Sequence, residues 1–119
     1  MAVYFLTGTA GGVLNEDLCK IGYTSDDARG TVSRMASIST SCPFPTDLLW
    51  SIPGLDRAAE KEIHRLFAHD RVRREWFLYS EELVETADNI YIAVETHGPK
   101  KVLAKLKSCK TYEEFNDWV

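Results

Sequence analysis

The sequence predicts an α+β fold: a small three-stranded antiparallel sheet flanked by helices, with a helical C-terminal stretch. Three observations carry that prediction. Short apolar runs rich in β-formers come early, as AVYFLT, DLCKIGYT and TDLLWSI; helical periodicity dominates from residue 56 onward; Gly- and Pro-containing breaks separate them. At 119 residues, with 45% hydrophobic and 27% charged content, the chain suits one domain with a single modest core.

Residues 2–7, AVYFLT, form the first strand, and GTAGG breaks it. DLCKIGYT, residues 17–24, is the second; strands this near in sequence pair most simply as an antiparallel hairpin with a long loop. Side chains alternate along a strand, so Lys20 and Gly22 share one face while Cys19, Ile21 and Tyr23 share the other. The apolar set points to the core. Lys20 then stands opposite, beside a glycine that leaves the backbone bare to whatever approaches. Ser25, Asp26 and Asp27 supply an N-cap and first turn for a helix to about Ile38, weakened at Gly30 and ended by SCPFP.

TDLLWSI is the third strand, and Pro53-Gly54 turns the chain into a strong helix from about Asp56 to Ala68. Its core stripe is Ala59, Ile63, Leu66 and Phe67; Glu60 and His64 lie one turn apart on an adjoining stripe. EWFLYS is a short aromatic segment. Ser80 caps a helix through about Thr96, which Gly98-Pro99 ends, and two short helices follow, Lys100 to Ser108 and one opened by the Thr111–Glu114 capping box.

A formal net charge of −4 argues against a protein that coats nucleic acid nonspecifically, since that affinity comes from cations on phosphates. The charge is segregated, however. Residues 57–74 hold six Lys or Arg against Glu60, Glu62 and Asp70, whereas residues 80–96 carry five acids and no Lys or Arg, which leaves room for a local basic surface. Cys19, Cys42 and Cys109 are an odd set with no CxxC spacing, which predicts free thiols and neither a disulfide framework nor a zinc knuckle. No apolar run approaches the ~20 residues that span a bilayer, and the start lacks a secretory signal, so a cytoplasmic protein without a membrane partner is expected.

Five pieces then stand in order: VYF, KIG, SRMASI, AEKEIH and REWF. Together they resemble the GIY-YIG nuclease superfamily, and more closely its small phage-associated branch, whose members show KIG-T after the first hairpin, an Arg a helix later, and E-x-x-h-H followed by EWF. The resemblance covers roughly residues 2–79, about two thirds of the chain. It implies a nuclease core over 1–79, with 80–119 a helical extension of the same single domain. It places Tyr4 at the tyrosine of the first motif, Lys20, Ile21 and Gly22 at the second, Arg34 at the helix arginine, and Glu60 at the metal-binding glutamate. The sequence departs from the commoner pattern where Val3 and Phe5 flank Tyr4, where Lys20 replaces a tyrosine, and in the long spacing between the two strands.

The activity so implied is Mg²⁺- or Mn²⁺-dependent hydrolysis of DNA phosphodiester bonds. Such chemistry asks for an activated water, a cation over the phosphate and a metal at the leaving oxygen. Glu60 would hold the metal, because Mg²⁺ keeps several waters and accepts one carboxylate plus substrate phosphate. Arg34 offers a guanidinium fork that matches phosphate oxygens. Tyr4 or Lys20 would take the proton; an ordinary phenol or amine does so only near pH ~10, so burial or positive charge must help it. Gly22, His64, Arg71, Arg73 and Arg74 are the substrate-binding candidates, and Glu75 with Trp76 would wall the site or brace the helix.

Each residue also has a plainer reading: Lys20 as a solvent-facing hairpin lysine, Tyr4 as a core aromatic, Glu60 and His64 as a helix-surface pair. His64 lacks a second His or Cys placed to complete a zinc set. Two other functions fit the pattern: a nucleic-acid-binding module that grips with Arg34, Arg71, Arg73 and Arg74 without cleaving, and an interaction protein that docks through residues 80–119. The acidic total and small size imply that specificity comes from a protein partner or a homo-oligomer.

Overall fold

A computed structural model of the chain describes residues 1–9, 17–25 and 46–119. Strands β1 (Ala2–Thr9), β2 (Asp17–Thr24) and β3 (Thr46–Pro53) fall where the sequence puts them. Helix α1 (Arg57–Leu66) follows, then a 3₁₀ turn at Ala68–Asp70 and the short strands β4 (Arg71–Arg73) and β5 (Trp76–Leu78). Helices α2 (Glu81–His97), α3 (Pro99–Ser108) and α4 (Tyr112–Trp118) complete the chain. Past Ser25, the helix expected to about Ile38 and the SCPFP break lie outside the described residues.

The class is α+β, as expected, but the antiparallel sheet has five strands, in the order β3-β1-β2-β5-β4. The added pair, β4 and β5, is hard to see in sequence. β4 is exposed along its whole length, so it shows no alternation, and the connection at Arg74-Glu75 lacks the Asn-Gly chemistry of a two-residue hairpin. Arg74 nonetheless takes φ 53, the left-handed backbone that glycine or asparagine ordinarily fills.

β1 is paired along both edges, and its unbroken apolar run matches burial on both of its faces: Ala2 to Leu6 are all buried, on alternating faces. Val3 and Phe5 join Cys19, Ile21, Ile52 and Phe77 on the face that carries the helices. Ala59, Ile63, Leu66 and Phe67 of the α1 segment, Leu83, Ala87, Ile90 and Ala93 of α2, Val102 and Leu106 of α3, and Phe115 of α4 close one continuous core over it. Each Leu, Ile or Phe so buried contributes roughly 1.5–3 kcal/mol.

Caps set the helix ends that position α1. Asp56 accepts from the Ala59 amide at 3.0 Å, Ser80 from Leu83 at 3.1 Å and Thr111 from Glu114 at 3.3 Å. Gly98, at φ 87, closes α2 through its amide to the Val94 carbonyl, and Pro99 opens α3 at a position that needs no amide. Arg65 of α1 donates to the Leu106 and Cys109 carbonyls, at 2.9 and 2.8 Å, and so ties α1 to the end of α3. Among the described residues, no helix is long and apolar enough to cross a membrane. Cys19 and Cys109 are free and buried, and burial pushes the Cys19 thiol up to about 12, which leaves it unreactive; Cys42 lies outside the described residues.

Candidate nucleic-acid site

The face of the sheet opposite the described helices carries Tyr4 from β1 and Lys20 and Gly22 from β2. Antiparallel register sets Tyr4 across from Gly22 and Leu6 across from Lys20. The Tyr4 ring lies over Gly22: a Cβ at that position would meet Tyr4 Cζ at 2.3 Å and its hydroxyl oxygen at 2.4 Å. Glycine is therefore required to admit the ring, and the space left bare in the sequence is taken by Tyr4, not by an incoming ligand. Tyr4 itself is only 1% exposed.

Lys20 sits two residues along β2, its side chain 17% exposed. Its Nζ is 2.8 Å from a carboxylate oxygen of Glu75 and 5.9 Å from the Trp76 ring centroid. Glu75 stands at the β4–β5 connection, where its backbone carbonyl accepts from the Ile21 amide at 3.0 Å. β5 pairs with β2 only from Leu18 to Lys20, so the chain at Glu75 delivers its carboxylate to the lysine just where strand pairing ends. The EWF motif thus supplies the lysine's counter-ion.

Past that point the Ile21 carbonyl has no strand to pair with, and His64 meets it, Nε2 to oxygen 2.7 Å. A carbonyl only accepts, so Nε2 carries the proton and Nδ1 is the ring's acceptor. The ring packs on Phe77 at 5.1 Å. Burial pulls the His64 pKa below its ordinary value; the hydrogen bond to Ile21 and the charge of Glu75 oppose this, while Arg71 and Lys20 reinforce it. Lys20, Glu75 and Arg71 therefore all act on one ring. His64 thus meets the protein's own backbone.

Glu60 is half-buried, one turn before His64. Arg57, one turn earlier, holds its guanidinium 5.2 Å from the Tyr23 ring centroid. These contacts at Tyr23 and Ile21 bracket Glu60 along the stretch of β2 that contains Gly22. Among the described residues, no group of three His, Cys, Asp or Glu is placed to hold a metal. A single carboxylate fits Mg²⁺, which retains water ligands, and does not fit a structural zinc.

Arg71, Arg73 and Arg74 are exposed at the sheet's edge strand and its turn. Arg71 Nε donates to the Arg74 carbonyl, so one of the three braces the turn that the other two flank. Arg34 lies outside the described residues. A cavity of about 510 Å³ lined by Trp50, Tyr79, Glu81, Val84, Glu85 and Asp88 lies elsewhere, between β3 and α2. Its three carboxylates repel phosphate, so the acidic stretch noted in the sequence borders a surface distinct from the basic edge.

A family model described as the T5orf172 domain matches residues 1–95. No curated protein and no solved structure matches the chain.

Proposed function

Because the chain belongs to the T5orf172 domain family, which is phage-associated and nuclease-like, we propose that it is a GIY-YIG-type endonuclease that hydrolyses DNA phosphodiester bonds with Mg²⁺ or Mn²⁺. The observation that carries this reading is the β1–β2 register. It stacks Tyr4 on Gly22 and sets Lys20 on the same face, so that a tyrosine and a lysine two positions apart in register share one face of the sheet.

In this reading Lys20 holds the scissile phosphate as a cation, and Arg34 adds a guanidinium fork. Tyr4 takes the proton of the attacking water. Glu60 holds the metal, which when bound supplies charge stabilisation to the leaving oxygen. His64 keeps α1, and Glu60 with it, at a set height along β2 through the Ile21 carbonyl. Arg73 and Arg74 grip the DNA backbone from the edge of the sheet; in this reading a net charge of −4 keeps nonspecific affinity low, and a protein partner or a second copy of the chain supplies sequence choice.

Incubation of supercoiled plasmid with the purified protein tests this. Nicked or linear product with Mg²⁺, and none with chelator, is the expected result. A second reading, a DNA-binding module that does not cleave, is favoured by the burial of Tyr4 and the pairing of Lys20 with Glu75. Retardation of DNA without nicking in either metal selects it.

A further inference from the structure

We propose that Glu75 is a built-in competitor for phosphate at Lys20, an anion carried by the fold that a nucleic-acid backbone displaces before the lysine can grip it. The inference rests on the nucleic-acid reading above. A carboxylate and a phosphodiester offer an ammonium the same thing, an anionic oxygen at hydrogen-bond distance. Glu75 already occupies that place, 2.8 Å from Nζ.

The two partners are held unequally. Lys20 projects from the middle of a paired strand, is 17% exposed, and keeps the Trp76 ring beside its ammonium. Glu75 sits at a turn, is 39% exposed, and is anchored through its backbone to Ile21, so its side chain can swing into solvent without disturbing the sheet. Trp76 pairs with Lys20 on one side and with Arg73 on the other, which sets a second cation two strands away in the same region of one sheet face. Departure of the carboxylate leaves that region positive. Glu75 thereby sets a threshold: weakly held anions fail to displace it, and a polyanion anchored elsewhere, at Arg73 and Arg74, succeeds.

The test compares Glu75→Gln with wild type in two titrations: a short labelled DNA duplex followed by fluorescence anisotropy, and inorganic phosphate followed by the Lys20 side-chain NMR signal. Glu81→Gln, an equal charge change outside the pair, is the control. Glu75→Gln is expected to bind both probes about fivefold more tightly, the scale of a partly exposed ion pair, with a much smaller change in Glu81→Gln. Unchanged or weaker phosphate binding in Glu75→Gln, or an equal gain in Glu81→Gln, overturns the proposal and makes Glu75 a brace. If phosphate binds more tightly while neither protein binds DNA, the competitor stands and the nucleic-acid reading fails.

Discussion

The ring of Tyr4 lies across the backbone of Gly22, so that these residues on paired strands share the space of one side chain. Because Tyr4 is 1% exposed, its ring has little room to retreat. Gly22→Ala is therefore expected to destabilise the fold by about 1–3 kcal/mol, the usual range for overpacking. Tyr4→Phe in the same background should give no relief, since Cζ remains, whereas Tyr4→Ala should remove the clash. Urea unfolding of the single and double variants measures the coupling.

Lys20 is paired with a carboxylate, which favours its use as a fixed cation. Lys20→Arg is expected to keep appreciable cleavage, and Tyr4→Phe to lose about a hundredfold or more, the contribution of a general base. Single-turnover plasmid cleavage separates the two roles. An arginine variant that folds and binds DNA but cannot cut makes the lysine the base.

Glu60→Gln keeps the shape of the side chain and removes the charge that holds a hard cation. Cleavage that depends on Mg²⁺ should disappear while the thermal unfolding midpoint stays near that of wild type. Activity at the wild-type level, at unchanged Mg²⁺, excludes the glutamate from the mechanism.

The arginines at the sheet edge are expected to act on binding and not on the bond-breaking step. Replacing Arg71, Arg73 and Arg74 together by alanine should weaken DNA binding and lower the slope of log affinity against log salt by up to about 3. Cleavage at saturating DNA should persist. A slope equal to that of wild type would show these residues to be a solvated edge.

His64 predicts the pH dependence of stability. Its folded pKa is lowered below 6.5, chiefly by burial, so below pH 6.5 the unfolded chain takes up a proton that the native state resists. The stability that the neutral ring contributes is present above pH 6.5 and is lost as the pH falls toward the folded pKa. His64→Gln should flatten that fall, read from urea midpoints across the acid range, and an unaltered profile would remove His64 as its source.

The sequence by itself determined most of the local structure. Ser80 and Thr111 cap the helices that they announce, Gly98-Pro99 divides α2 from α3, and the alternation of β2 assigns Cys19 and Ile21 to the core with Lys20 and Gly22 opposite. These are near-neighbour effects, governed by hydrogen bonds and periodicity within a few residues, and so they are legible in a string. The order of KIG, AEKEIH and REWF likewise marked the segments that border the candidate site.

What those segments do to one another was decided by tertiary structure. β4 and β5 are three residues each and one of them is fully exposed, so neither periodicity nor turn chemistry reveals them; they exist because β2 offers an open edge. Once they pair, Glu75 becomes the counter-ion of Lys20, and the end of that pairing leaves the Ile21 carbonyl to His64. Gly22 is bare in the sequence and covered in the fold, because the β1–β2 register chooses which side chain faces it. Register and strand order join residues far apart in the chain, and packing and pairing across that distance settle both.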